Sequence, residues 1–147
     1  MKLNEKKGNL FELNPKKYAY AHCISQDCAM GKGIAVVFDK QFRGMKNYCK
    51  RVIEENHLNF PCVIPYSNSD KMVFNLITKK NYWGKPTYAT IEATIEDMAH
   101  MCKVYNIKYL AMPKIGCGLD RLQWGKVREI IIKHFKELDI EIEIRYL

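Results

Sequence analysis

Two residues in this chain have the side chains for covalent sugar chemistry, Lys79 and Asp120, and each sits beside a glycine-rich turn or an apolar strand end. Lys79 and its neighbour Lys80 close the run KMVFNLITKK, and Asp120 leaves the turn IGCGLD (Ile115–Asp120). A second glycine turn, MGKGIA (Met30–Ala35), stands upstream. Each turn falls between a strand-like and a helix-like segment. Backbone N–H groups at a helix start form an anion site, and glycine lets that backbone approach closely. Two such turns in one small domain predict a cleft gripping two linked phosphates. A lysine sheltered beside them is an amine nucleophile toward an anomeric carbon, and an acid beside it is a general acid/base. Phosphate grip, amine and acid together point to nucleotide-sugar chemistry.

The run Lys71–Lys80 has apolar residues at both parities, which fits a central strand. Successive strand residues face opposite ways, so Lys79 and Lys80 do not share a pocket if the strand stays regular, and periodicity does not choose between them. Asp120 has a competing structural role as the N-cap of a helix starting near Gln123. Cys23 and Cys117 flank the glycine turns, but the only base adjacent to either in sequence is His22, a strand neighbour of Cys23 that points the other way. His100 and His134 fall on helix-like segments and carry no catalytic expectation. Trp83 and Trp124 read as packing residues.

The elements that position these groups follow from periodicity. Strands are expected at Lys2–Lys7, Tyr18–Ile24, Cys62–Tyr66, Lys71–Lys80, Tyr109–Ile115 and Ile140–Tyr146. Helices are expected at Ile34–Phe42, Met45–Asn56, from Pro86-Thr87 to about Tyr105, and Gln123–Leu138. The third helix has Ile91, Ile95, Met98, Cys102 and Tyr105 on one face. Alternation of strand and helix predicts an α/β sheet covered on both faces, with ligands beyond the carboxyl ends of the strands.

The 147 residues read as one domain, 1–147, with 48% hydrophobic residues and a formal net charge of +8. No apolar run approaches the ~18 residues of a membrane span, and the polar start MKLNEKKGNLFEL has no leader-like stretch, so a cytoplasmic location and no membrane partner are expected. The six cysteines have no C-x-x-C or zinc-finger spacing, which predicts free, mostly buried thiols and neither metal nor cofactor. The excess positive charge fits a polyanionic partner, yet the basic residues are scattered in sequence and not interleaved with aromatics.

Four segments, AHCISQDCAMGKGIAVVFDKQF, LITKK, KPTY and MPKIGCGLDRLQW, with the opening GNLF (Gly8–Phe11), resemble the macrodomain family, and more narrowly its terminal ADP-ribose protein glycohydrolase branch. The resemblance implies a three-layer α/β/α macrodomain with a mixed central sheet. It implies binding of ADP-ribose by Asn9, Leu10, His22, Cys23, Ser25, Gly31, Gly33 and Ile34 on one side. Ile115, Gly116, Cys117, Gly118 and Leu119 lie on the other. It selects Lys79 as nucleophile and Asp120 as the acid/base that resolves a lysyl–ADP-ribose intermediate. The implied substrates are protein carrying ADP-ribose on Glu or Asp and the small ester O-acetyl-ADP-ribose. Alternatives are ADP-ribosylated DNA or RNA held through a basic surface, and a non-catalytic ADP-ribose reader; the implied state is a monomer. The family's adenine-reading aspartate is Asn9 here, which accepts a hydrogen bond without charge. Asn9→Asp is therefore expected to tighten ADP-ribose binding in calorimetry, and an equal or weaker affinity contradicts that role.

Overall fold

A computed structural model describes all 147 residues. Six strands form one mixed sheet in the order β1 (Lys2–Lys7), β6 (Glu141–Tyr146), β5 (Tyr109–Met112), β2 (Ala19–Ser25), β4 (Lys71–Lys79) and β3 (Cys62–Asn68). All neighbours pair in parallel except β3 and β4, an antiparallel hairpin. Residues of one parity on β2 and β4, Ala19, Ala21, Phe74 and Leu76, pack with α3 (Tyr88–Val104) and α4 (Trp124–Phe135). The other parity, Tyr20, Ile24, Val73 and Ile77, packs with α1 (Ile34–Gln41) and α2 (Met45–Asn56). Two cores therefore sandwich the sheet, giving the three layers. Both-sided burial explains why the central strand β4 has apolar residues at both parities.

Local chemistry sets the element ends. Thr87 caps α3 in a reciprocal box with Thr90, so Pro86-Thr87 are the lead-in and the helix proper begins at Tyr88. Ile91, Ile95, Met98 and Cys102 are buried, whereas Tyr105 is the C-cap and is exposed, so the expected stripe ends one turn early. Strand β5 stops at Met112 rather than Ile115 because Pro113 has no N–H for the ladder. The β3 strand runs to Asn68, leaving Ser69 and Asp70 as the tight turn to β4. Helix α4 is capped at Gln123 with no side-chain cap bond, so Asp120 does not cap it. Near the carboxyl end of β4 the pairing with β2 slips: Ile24 faces Ile77, but Ser25 faces Lys79, leaving Thr78 unmatched. A bulge of this kind re-aims the side chains that follow it. The strand is thus irregular where the two lysines sit.

Candidate active site

A cavity of about 860 Å³ opens at the carboxyl ends of β2 and β4 and beyond β5. One wall is the chain from Ser25 into the first turn of α1; the other is the segment after β5. The two walls approach closely at Gly33, whose φ is +61° and where a Cβ would lie 3.3 Å from Leu119 Cδ1. Gly116, with φ +73°, is more constrained: a Cβ there would meet Ile91 Cδ1 at 3.0 Å and Leu122 Cδ1 at 3.2 Å. Positive φ and absent space explain glycine at these two positions. The cavity wall includes Ile34 and Ala35 of the first turn of α1, where helical N–H groups have no intrahelical acceptor.

Lys79 Nζ donates to Asp120 Oδ1 at 2.6 Å, and the two side chains are 13% and 14% exposed. Both line the cavity, whereas Lys80 is exposed and does not. The bulge at Thr78 and the turn after β5 bring together residues 41 positions apart. A short charge-assisted bond fixes both ends of the pair. Among acids, only Asp120 lines the cavity, and it is committed to Lys79.

Ser25, Gly31, Ile115 and Gly118 also line this space, as do Cys23, Gly33, Ile34, Gly116 and Leu119. The remaining expected site residues lie elsewhere. Asn9 caps the 3-10 turn Leu10–Glu12, accepting from the Phe11 N–H at 3.0 Å. Leu10 is buried beneath that turn, where its carbonyl accepts from the Tyr20 hydroxyl. Cys117 points away from the cavity wall and donates to the Ile115 carbonyl.

His22 is fully buried, stacked on Phe38 at 3.9 Å between centroids, with Nε2 2.7 Å from Asn75 Oδ1. It lies on the sheet face opposite Cys23, so it neither reaches the cavity nor serves as a base for that thiol. Burial lowers its pKa to about 4 against the usual 6.5, outweighing the opposing bond to Asn75. The neutral form is therefore favoured by the fold. The folded pKa is depressed, so this stabilisation is complete above pH 6.5 and is lost as pH falls toward 4. Wild type is expected to lose about 2 kcal/mol between pH 7 and 4.5 from this residue. Urea unfolding at both pH values should show a shallower loss in His22→Gln; equal slopes contradict the assignment.

The cysteines are poor nucleophiles. Burial, with the Asp120 carboxylate nearby, pushes the Cys23 thiol far above its usual range. Burial pushes the Cys117 thiol to about 11. Protonated thiols neither attack nor bind metal.

Asp27 ties the first wall to the loop after β4. It accepts from the Ser25 hydroxyl, from the Ala29 N–H at 3.1 Å and from the Tyr82 N–H at 2.9 Å. Burial raises its carboxyl, but these bonds outweigh burial and hold it below the usual carboxylate range. Across the mouth, Lys85 Nζ donates to the Leu119 carbonyl at 2.6 Å. Trp83 does not pack in a core as expected: it is 68% exposed and lines the mouth with Tyr82. Trp124 does pack, donating to Glu5. Lys32, Lys85 and Arg121 are cavity residues that lie within the quoted motifs but were not expected as site residues, and Tyr82 and Trp83 lie outside those motifs. The one signal available was two adjacent aromatics in the turn NYWG, with no periodicity to bury them.

Fold and cleft define a three-layer α/β domain with two glycine walls facing each other around a lysine–carboxylate pair. Residues 21–131 match the family model of the Macro domain. The chain is 40% identical over 138 residues to the ADP-ribose glycohydrolase OARD1 of Homo sapiens, covering 94% of this chain and 87% of that protein. It is 28% identical over 122 residues to a DNA ADP-ribosyl glycohydrolase of Mycobacterium tuberculosis, covering 74% of this chain and 32% of that protein. Its fold matches the macrodomain of Mycobacterium tuberculosis DarG with a TM-score of 0.89 at 22% identity, covering 99% of this chain and 97% of that one. This chain belongs to the macrodomain family.

Proposed function

We propose that this protein is an ADP-ribosyl hydrolase that releases ADP-ribose from ester linkages on modified proteins, and from the small ester O-acetyl-ADP-ribose, through a lysyl–ADP-ribose intermediate. The observation that carries the reading is the 2.6 Å Lys79–Asp120 pair set between the two glycine walls. The glycine walls and the first turn of α1 hold the diphosphate, which sets the anomeric carbon against Lys79.

Asp120 takes a proton from Lys79 Nζ, and the neutral amine attacks the anomeric carbon. The C–N bond forms as the C–O bond to the acceptor breaks, and the acceptor leaves as a carboxylate. The attacking nitrogen is now a secondary ammonium. Water adds at the same carbon as the C–N bond breaks, the freed neutral amine takes back the proton held by Asp120, and the added water gives up one proton to solvent. Lysine is regenerated and ADP-ribose departs. Covalent catalysis of this form splits one hard displacement into two easier ones.

Relatives of this chain include a DNA ADP-ribosyl glycohydrolase, and the same pair serves a base-nitrogen leaving group if that nitrogen is protonated as it departs. Release of ADP-ribose is to be measured from a protein modified on glutamate and from an ADP-ribosylated oligonucleotide. Release from either supports the hydrolase. Tight ADP-ribose binding with release from neither makes the protein a reader.

A further inference from the structure

The mouth of the cleft carries chemistry that an ADP-ribosyl group does not use up. Tyr82 and Trp83 are 54% and 68% exposed, belong to neither core, and meet edge to face with centroids 5.0 Å apart at 87°. Large aromatics held in solvent without packing partners offer ring faces to a ligand. They are not loose: Asn81 and Gly84 close a turn around them, and the Tyr82 N–H is tied to Asp27. Asp120 in the lining is neutralised by Lys79, and the unpaired charge among the other lining residues is positive. Lys32, Lys85 and Arg121 line the same opening, and none of them is in a salt bridge. Lys85 is bonded only to a neutral carbonyl, so its charge is uncompensated. The glycine walls already supply N–H donors for a diphosphate, which leaves these cations for a further anion.

We propose that Tyr82 and Trp83, flanked by Lys32, Lys85 and Arg121, form an acceptor subsite for a single-stranded nucleic acid, the strand that bears the ADP-ribosyl group. A base beside the modified nucleotide stacks on Trp83, and the strand's phosphates pair with the cations. Aromatic platforms beside a basic groove are the general means of holding single strands. An acidic peptide would satisfy the cations but does not set a stacking ring beside each negative charge, as a single strand does, and a basic peptide is repelled. The subsite rests on the hydrolase reading, since it is the acceptor that it sorts.

The test compares wild type, Trp83→Ala and Trp83→Phe on an ADP-ribosylated DNA oligonucleotide, a glutamate-modified protein and O-acetyl-ADP-ribose. Trp83→Ala should raise KM for the oligonucleotide about tenfold or more, the range of one lost base stack, with kcat changed far less. The change on O-acetyl-ADP-ribose should be several times smaller, and Trp83→Phe should recover most of the loss. For wild type, kcat/KM on the oligonucleotide should fall with salt at a log–log slope near −2, as about three phosphate contacts require. Equal losses on oligonucleotide and small ester overturn the proposal, because the aromatic pair then serves ADP-ribose itself. A larger loss on the protein overturns it in favour of a peptide acceptor. Fluorescence anisotropy with an unmodified oligonucleotide separates this question from catalysis. Binding about tenfold weaker in Trp83→Ala supports the subsite even if wild type releases nothing, and unchanged binding overturns it.

Discussion

Lys79→Ala should lower ADP-ribose release by roughly 10³-fold or more, about 4 kcal/mol of barrier, on every substrate the enzyme accepts. Among the amines that line the cavity, only Lys79 is paired with a carboxylate that can take its proton. The two thiols nearby are either driven far up by burial or turned away, so neither substitutes. Lys80 does not reach the cavity, so it gives no rescue. ADP-ribose affinity should stay within about tenfold, about 1.4 kcal/mol, because the glycine walls remain. Calorimetry checks affinity, and a release assay with circular dichroism checks activity and fold together. Removing Lys79 leaves Asp120, 14% exposed, without its counter-ion, so some loss of stability is expected; Lys79→Met, which keeps the packed stem, serves as the second variant. Release at near wild-type rates in a folded variant would remove the lysine from the mechanism.

Asp120→Asn has a different signature. The amide oxygen retains a hydrogen bond from Lys79 Nζ, but it neither takes up nor returns a proton. Loss of a general acid/base costs roughly 10²–10⁴-fold, and the loss falls on both steps. If the second step suffers more, the intermediate accumulates. Intact mass spectrometry of Asp120→Asn with substrate should then show one ADP-ribosyl addition, mapped to Lys79 by peptide sequencing. An addition at another side chain, or full turnover with no addition, contradicts the assignment. Double substitution of Lys79 and Asp120 should cost little more than Lys79→Ala alone, since groups that act as a unit are not additive.

Most of the architecture was legible because burial is periodic. The alternating apolar parities of Lys71–Lys80 marked a strand covered on both faces, and Ile91, Ile95, Met98 and Cys102 marked a helix stripe. The glycine turns were legible because so few residues accept the backbone that Gly33 and Gly116 adopt. Strand and helix ends were read less well. Pro113 cut β5 short, and the expected stripe ended at Cys102 because the α3 C-cap leaves Tyr105 in solvent.

The candidate site divides along the same line. By itself the sequence determined the inventory: a lysine at a strand end, an acid after a glycine turn, and two turns able to hold phosphates. These follow from residue type and near-neighbour spacing, which local sterics and hydrogen bonding decide. Only the tertiary structure decided which partners meet. The one-residue slip at Thr78 separated Lys79 from Lys80, and parallel pairing of β2 with both β4 and β5 brought Lys79 within 2.6 Å of Asp120. The same pairing buried His22 against Phe38 and took Asp120 away from the α4 cap. The loop anchored on Asp27 left Trp83 in solvent at the mouth. Each of these rests on contacts between residues far apart in the chain, whose geometry is set by register and packing and has no signature in local periodicity.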